Sequence, residues 1–262
     1  MFRFLQKIFR TGPDPARIAA PLWQAVEACQ PWLERLAPAD RTALRSLALE
    51  FLETKVFSGA QDFEPDNFVR LSIALQACLP VLRLGLAAYS GWQGVIVYPD
   101  DFVIPRRIVD ADGVLHEYEE DALGEAWDGG PVILAWSASR EMQEGINVVI
   151  HEFAHKLDML GGEADGEPPL HAGMSVEAWQ HALDDAFDDF RDRVDQGEAT
   201  TLDPYAAEHP AEFFAVCSET FFTEPEILMT SYPEFYRQLS LFYRIDLLEP
   251  PGTRETGAHS KI

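Results

Sequence analysis

His151, Glu152 and His155 stand in the order His-Glu-Phe-Ala-His, within Ile146-Asn147-Val148-Val149-Ile150-His151-Glu152-Phe153-Ala154-His155-Lys156-Leu157-Asp158. The apolar pattern of that stretch suits a helix. Residues four apart lie on one helical face about a turn apart, so both imidazoles can offer a ring nitrogen to one zinc ion. Glu152, next to the first histidine, projects toward a water at the open position of such an ion rather than toward the ion itself. Zinc acidifies that water, and a neighbouring carboxylate can take its proton during attack on a peptide carbonyl and return it to the leaving amine. The plainer alternative is a helical pair of histidines with no ion. The apolar run before His151 argues against it, because an unpaired imidazole and carboxylate are costly to bury.

A zinc site for hydrolysis needs a third protein ligand and an open fourth position. No third histidine follows at the short HExxHxxGxxH spacing; Asp158 and Gly161-Gly162 stand there instead. The ligand must come from further along. In Pro210-Ala211-Glu212-Phe213-Phe214-Ala215-Val216-Cys217-Ser218-Glu219-Thr220-Phe221-Phe222, a proline at a helix start precedes acids embedded among apolar residues. Glu212 and Glu219 share a helical face, so one can ligate the metal while the other accepts the second N–H of a ligating histidine. Asp158 is a further candidate for such a supporting role. His209 lies close to Glu212, but it precedes Pro210 and so falls outside the helix.

Tyr205, seven residues before Glu212, together with Ala211-Glu212-Phe213-Phe214-Ala215 and His151-Glu152-Phe153-Ala154-His155, resembles the catalytic core of anthrax lethal factor and of the Mlc titration factor A family of zinc peptidases. The likeness to the second family is closer. It runs from Val95-Ile96-Val97-Tyr98-Pro99 through Gly130-Pro131-Val132-Ile133-Leu134 and the HExxH segment to Phe235-Tyr236, more than half of the chain. The resemblance implies a gluzincin-type site with one zinc ion per chain, in which His151, His155 and Glu212 are the ligands and Glu152 is the general base. It also implies that Tyr205 donates its hydroxyl to the oxyanion of the tetrahedral intermediate, a role that suits a phenol because it meets developing charge without carrying any. Two further implications are aminopeptidase-like activity on small substrates and binding of Mlc, a glucose-responsive repressor. Composition and spacing speak to neither.

The elements that must position these residues are legible in outline. After a break at Gly12, Pro13 and Pro15, the segment from Ala19 to Leu86 is rich in helix formers and punctuated by Pro21, Pro31, Pro38 and Pro80, which predicts about four helices. One starts at Pro38-Ala39-Asp40 and carries Leu44, Leu47, Ala48 and Phe51 at helical spacing. From Gly94 the period changes. Val95-Ile96-Val97-Tyr98 and Phe102-Val103-Ile104, separated by Pro99-Asp100-Asp101, predict a strand pair, and Pro131 to Trp136 predicts another strand after Asp128-Gly129-Gly130. That last strand is either a substrate-aligning edge, to which an extended peptide adds, or a plain core strand. Gly161 to Pro169 reads as a surface loop. Val176 to Val194 reads as a helix whose Asp184, Asp185, Asp188 and Asp189 make a solvated acidic face.

The expected fold class is therefore α+β: a zincin-like metallopeptidase domain with a small mixed sheet and an HExxH active-site helix, over residues 91–250. A helical N-terminal lobe, 1–90, precedes it, and a disordered tail, 251–262, follows. At 262 residues and 47% hydrophobic, the chain can bury a substantial core. Its net charge of -24, from 44 acidic and 20 basic residues, opposes nucleic acid and anionic membranes as direct partners. Cys29, Cys78 and Cys217 form no CxxC pair and read as buried free thiols of a reducing compartment. MFRFLQKIFR at the start is too interrupted by basic residues for a signal peptide or a membrane span, although Phe2, Leu5, Ile8 and Phe9 can share one face of a short amphipathic helix. A cytoplasmic location without stable membrane association is the expectation, with a peptide as substrate and a Mlc-type repressor as partner. The competing function is a protein-interaction module that sequesters a transcription regulator and uses its metal for structure alone. Glu152 speaks for catalysis, since a structural site usually closes its fourth position with a protein ligand and has no need of an acid beside it. A hydrolase of non-peptide amides or esters would use the same machinery.

Overall fold

A proline in the first helical turn loses nothing by lacking an N–H, and Pro38, Pro210, Pro225 and Pro233 each open a helix here. The computed structural model describes residues 18–109, 115–137 and 147–249. In chain order these form α1 (Ala20–Glu27), α2 (Pro38–Thr54), β1 (Val56–Gly59), α3 (Asn67–Cys78), β2 (Gly94–Tyr98), β3 (Phe102–Val109), β4 (Leu115–Ala122), β5 (Gly124–Ala126) and β6 (Val132–Ala135). Helices α4 (Val148–Asp158), α5 (Val176–Asp195), α6 (Pro210–Thr223), α7 (Pro225–Ser231) and α8 (Pro233–Tyr243) complete the fold. Short 3-10 turns at Pro31–Arg35, Leu86–Tyr89, Met159–Gly161 and Pro204–Ala207 join them. The architecture is α+β, as expected. The basic segment 1–10 and the tail 251–262 lie outside the described residues.

The main sheet is small and mixed, in the order β1-β2-β6-β5. β1, β2 and β6 run parallel, and β5 pairs antiparallel with β6. Strand β1 was not foreseen within the helical N-terminal segment. It is four residues long, half-buried to exposed, and follows α2 with one residue between, so it carries no alternation to set it apart. The expected pairing of β2 with β3 also fails. The Pro99-Asp100-Asp101 break separates two sheets: β3 pairs antiparallel with β4, from Phe102 opposite Ala122 to Val109 opposite Leu115. The Phe102 ring nevertheless stacks on Tyr98, with centroids 4.7 Å apart. Of the two readings of Val132–Ala135, the structure has the core strand: β6 is paired on both sides and all four residues are buried. The edge beside the chemistry is β5.

Two aromatic clusters hold the helices that carry the candidate ligands. On α4, Phe153 points away from the histidines and its ring meets Tyr89, Phe51 and Trp92 at 5.1, 5.6 and 5.8 Å. On α6, Phe213 packs against Phe187, Phe190, Tyr232 and Phe235, while Phe214 meets Trp179 and Phe242. Burying rings of this size is worth roughly 1.5–3 kcal/mol each, so each helix is fixed on the side opposite its polar groups. The loop after α4 is drawn in as well: Gly166 (φ 84°) donates its N–H to Asp158 and its carbonyl accepts from the Trp179 indole. A side chain at Gly166 would meet the Pro210 carbonyl oxygen at 2.8 Å, so the loop can rest on the start of α6 only with glycine there. Cys78 and Cys217 are buried free thiols, whereas Cys29, just past the end of α1, is exposed, which corrects the expectation for that residue. No helix among the described residues is long and apolar enough to cross a membrane.

Candidate metal centre

Asn147 starts α4 as its N-cap, its side-chain oxygen accepting from the Ile150 N–H at 3.0 Å. One turn in, His151 and His155 project toward α6. Their Nε2 atoms are 3.1 Å apart, and one carboxylate oxygen of Glu212 lies 3.0 Å from the first and 3.3 Å from the second. A tetrahedral zinc ion with bonds of about 2.0–2.2 Å separates its ligand atoms by roughly 3.3 Å. The triangle seen here has that size, and the donor set, two imidazoles and one carboxylate, suits zinc. It is the one group of three or more His, Cys, Asp or Glu among the described residues that meets the geometry for holding a metal ion.

The ring nitrogens argue the same way. Glu219 Oε1 is 2.6 Å from His151 Nδ1. Nδ1–H therefore donates to that carboxylate, and in the neutral ring Nε2 keeps its lone pair for the common point. Lone pairs of two imidazoles and a carboxylate aimed at one place repel one another unless a cation or a proton stands between them. Burial works against a charge on His151, yet the hydrogen-bonded carboxylates of Glu212 and Glu219 overcome it and raise its pKa well above the usual value. Burial likewise opposes ionisation of Glu212, but hydrogen bonds from both histidines hold its carboxyl well below the ordinary range.

Support for the ligands reaches into the core. Glu219, buried on α6, takes the Asn147 N–H with its second oxygen at 2.6 Å, and the Asn147 amide donates to Gln76 of α3 at 2.9 Å. The chain Gln76-Asn147-Glu219-His151 thus ties three helices to one imidazole. Burial raises the Glu219 pKa despite the hydrogen bond from His151. His155 lacks such support: among the described residues its Nδ1 is buried without a hydrogen-bond partner, as is Oδ1 of the nearby buried Asp158. His209 caps α6, accepting the Ala211 N–H on Nδ1, and takes no part in the metal group.

Glu152, 5% exposed, lies beneath β5. Burial pushes its carboxyl up to about 7, with the two imidazoles pulling the other way. A base with a pKa near the working pH is the effective kind. Tyr205 sits in the 3-10 turn before α6, 40% exposed, its ring centroid 6.4 Å from that of His151; Asp203 accepts its N–H and holds the turn. On β5, the Leu123 carbonyl accepts from Ala135 and the Trp127 N–H donates to Pro131, so odd-numbered residues face β6. By alternation the peptide groups of Gly124 and Ala126 face the other side, where no strand pairs among the described residues. Lys156 fixes this hairpin to α4 by donating to the Trp127 and Gly130 carbonyls at 2.6 and 3.1 Å. Sequence reasoning missed Asn147, Lys156 and Gly124. A capping Asn just before the apolar run was a readable signal for the first; the others depend on contacts far apart in the chain.

A model of the glucose-regulated metallo-peptidase M90 family matches residues 9–244. The chain is 39% identical over 246 residues to "Mlc titration factor A" of Cronobacter sakazakii, covering 92% of each. It is 38% identical over 239 residues to the protein of the same name from Escherichia fergusonii, covering 90% of each. The Salmonella typhi relative, also named "Mlc titration factor A", is 36% identical over 240 residues, 86% of this chain and 91% of its own. A match that spans the sheet, α4 and α6 together takes in every residue of the triangle, and the chain accordingly belongs to the M90 family of glucose-regulated metallo-peptidases.

Proposed function

We propose that this chain is a zinc-dependent peptidase of the gluzincin type, holding one zinc ion through His151, His155 and Glu212. The observation that carries the reading is the convergence of those three ligand atoms to separations of 3.0–3.3 Å, with a buried carboxyl, Glu152, next to the first of them. The bound metal supplies Lewis acidity, acidifying a water and polarising the scissile carbonyl. Glu152 takes the proton of the attacking water and passes it to the leaving amine. Its burial favours this by keeping competing solvent away and by making the carboxylate more basic. Tyr205 donates its O–H to the oxyanion; an exposed phenol beside His151 can swing onto a substrate that a buried one could not reach. The peptide adds to the side of β5 away from β6, where the Gly124 and Ala126 peptide groups supply its hydrogen bonds.

Specificity and partners rest on the resemblance and on the relatives' printed name. On that basis the activity is aminopeptidase-like, the location is cytoplasmic, and a Mlc-type transcriptional repressor is a partner besides the peptide. The net charge of -24 favours contact with such a repressor over contact with its DNA. Elemental analysis of the purified protein, with a panel of aminoacyl and internally quenched peptide reporters, tests the proposal. One zinc per chain with release of the aminoacyl reporters is expected. Turnover by zinc-free protein would overturn the metal reading, and cleavage of internally quenched reporters alone would overturn the aminopeptidase reading. A titration with purified Mlc that shows no complex would remove the partner.

A further inference from the structure

Gly124 lies where β5 crosses Glu152. A Cβ built on it would stand 2.5 Å from Glu152 Oε1, 2.6 Å from Cγ and 2.8 Å from Cδ, closer than non-bonded atoms approach. The backbone of the edge strand therefore rests directly on the side chain of the base, with no room for even a methyl group.

Neither partner can easily retreat. Helix α4 is pinned on its far side by Phe153 against Phe51, Tyr89 and Trp92. Strand β5 is pinned by its hydrogen bonds to β6 at both ends and by Lys156, which draws the 127–130 turn onto α4. What remains free is the torsion of Glu152 itself. The absent side chain at position 124 thus decides where the carboxylate can lie.

We propose that Gly124 is a positioning residue for Glu152: by seating bare backbone on the glutamate, it fixes the base at a set distance from the strand that receives the peptide. The same residue presents its peptide group to the side of β5 away from β6, so one position sets both the substrate backbone and the base. A methyl group there displaces the carboxylate rather than the helix or the strand. This inference rests on the reading of Glu152 as the general base.

The test is a pair of double-mutant cycles. In zinc-loaded protein, Gly124→Ala is expected to lower kcat by roughly 10- to 100-fold, the cost typical of a misplaced catalytic group. KM should stay within about twofold and zinc content should not change. In a Glu152→Gln background, itself strongly impaired, the same substitution should cost less than about twofold. In metal-free protein, Gly124→Ala should lower the melting temperature by about 2–4 °C, and the drop should vanish in a Glu152→Ala background, where the crowded atoms are gone. Wild-type kcat in Gly124→Ala, equal losses with and without Glu152, or the same melting drop in both backgrounds would each overturn the proposal. Wild-type turnover in Glu152→Gln would instead sink the general-base reading, and the positioning role with it, while the melting pair would still report the contact.

Discussion

The two halves of the candidate site are built in opposite ways. On the metal side, α4 and α6 bury nearly every group: Glu219 holds His151, Asn147 holds Glu219, and Gln76 holds Asn147. On the proposed substrate side, Tyr205 and Trp127 are 40% and 50% exposed, and among the described residues β5 pairs along one edge, with Lys156 holding the turn that follows it. Buried polar groups are costly unless paired, and the pairing of His151, Glu219, Asn147 and Gln76 holds the His151 ring in place. A peptide must enter and leave, so its half of the site has to stay open to solvent. The contrast separates what should disturb metal affinity from what should disturb turnover alone.

Substitutions can break or sharpen that separation. Removing a ligand should have the largest effect: Glu212→Ala is expected to lose zinc on dialysis against a weak chelator and at least about 1,000-fold in turnover. Retained zinc would point to another ligand. Next, Tyr205→Phe is expected to lower kcat by about 100-fold, the scale of one oxyanion donor, with zinc affinity unchanged by competition titration. A shift in zinc affinity as large as the loss of kcat would erase the distinction between the halves. Glu219→Ala, which strands the His151 Nδ1–H and the Asn147 N–H, should weaken zinc by roughly 10–100-fold. Smallest is Lys156→Met: loosening the 127–130 turn should raise KM by roughly 3- to 10-fold with kcat nearly intact, as steady-state kinetics on a peptide reporter would show.

The metal side was also the more legible in the sequence, for a physical reason. His151, Glu152 and His155 lie within one helical turn of each other, so local spacing alone brings them together. Glu212 and Glu219 could be paired with that helix by type and spacing, but which one ligates and which one supports followed from the resemblance, and their geometry became visible only in the packing of α6 on α4. The substrate side depends on sheet order, which no local pattern encodes. Val132–Ala135 is apolar throughout, the mark of a strand covered on both faces, whereas Gly124-Glu125-Ala126 shows no strand pattern at all, although it forms the edge. For the same reason β1 is hidden behind α2, and the two runs flanking Pro99-Asp100-Asp101, expected to pair with each other, lie in two separate sheets.

The central claim is that His151, His155 and Glu212 hold one zinc ion. Its most direct test is anomalous diffraction at the zinc edge from crystals of the zinc-loaded protein. The expected result is a single strong peak about 2.0–2.2 Å from His151 Nε2, His155 Nε2 and a Glu212 carboxylate oxygen. A peak elsewhere, at the acidic face of α5 for example, or none between these three residues, would contradict it.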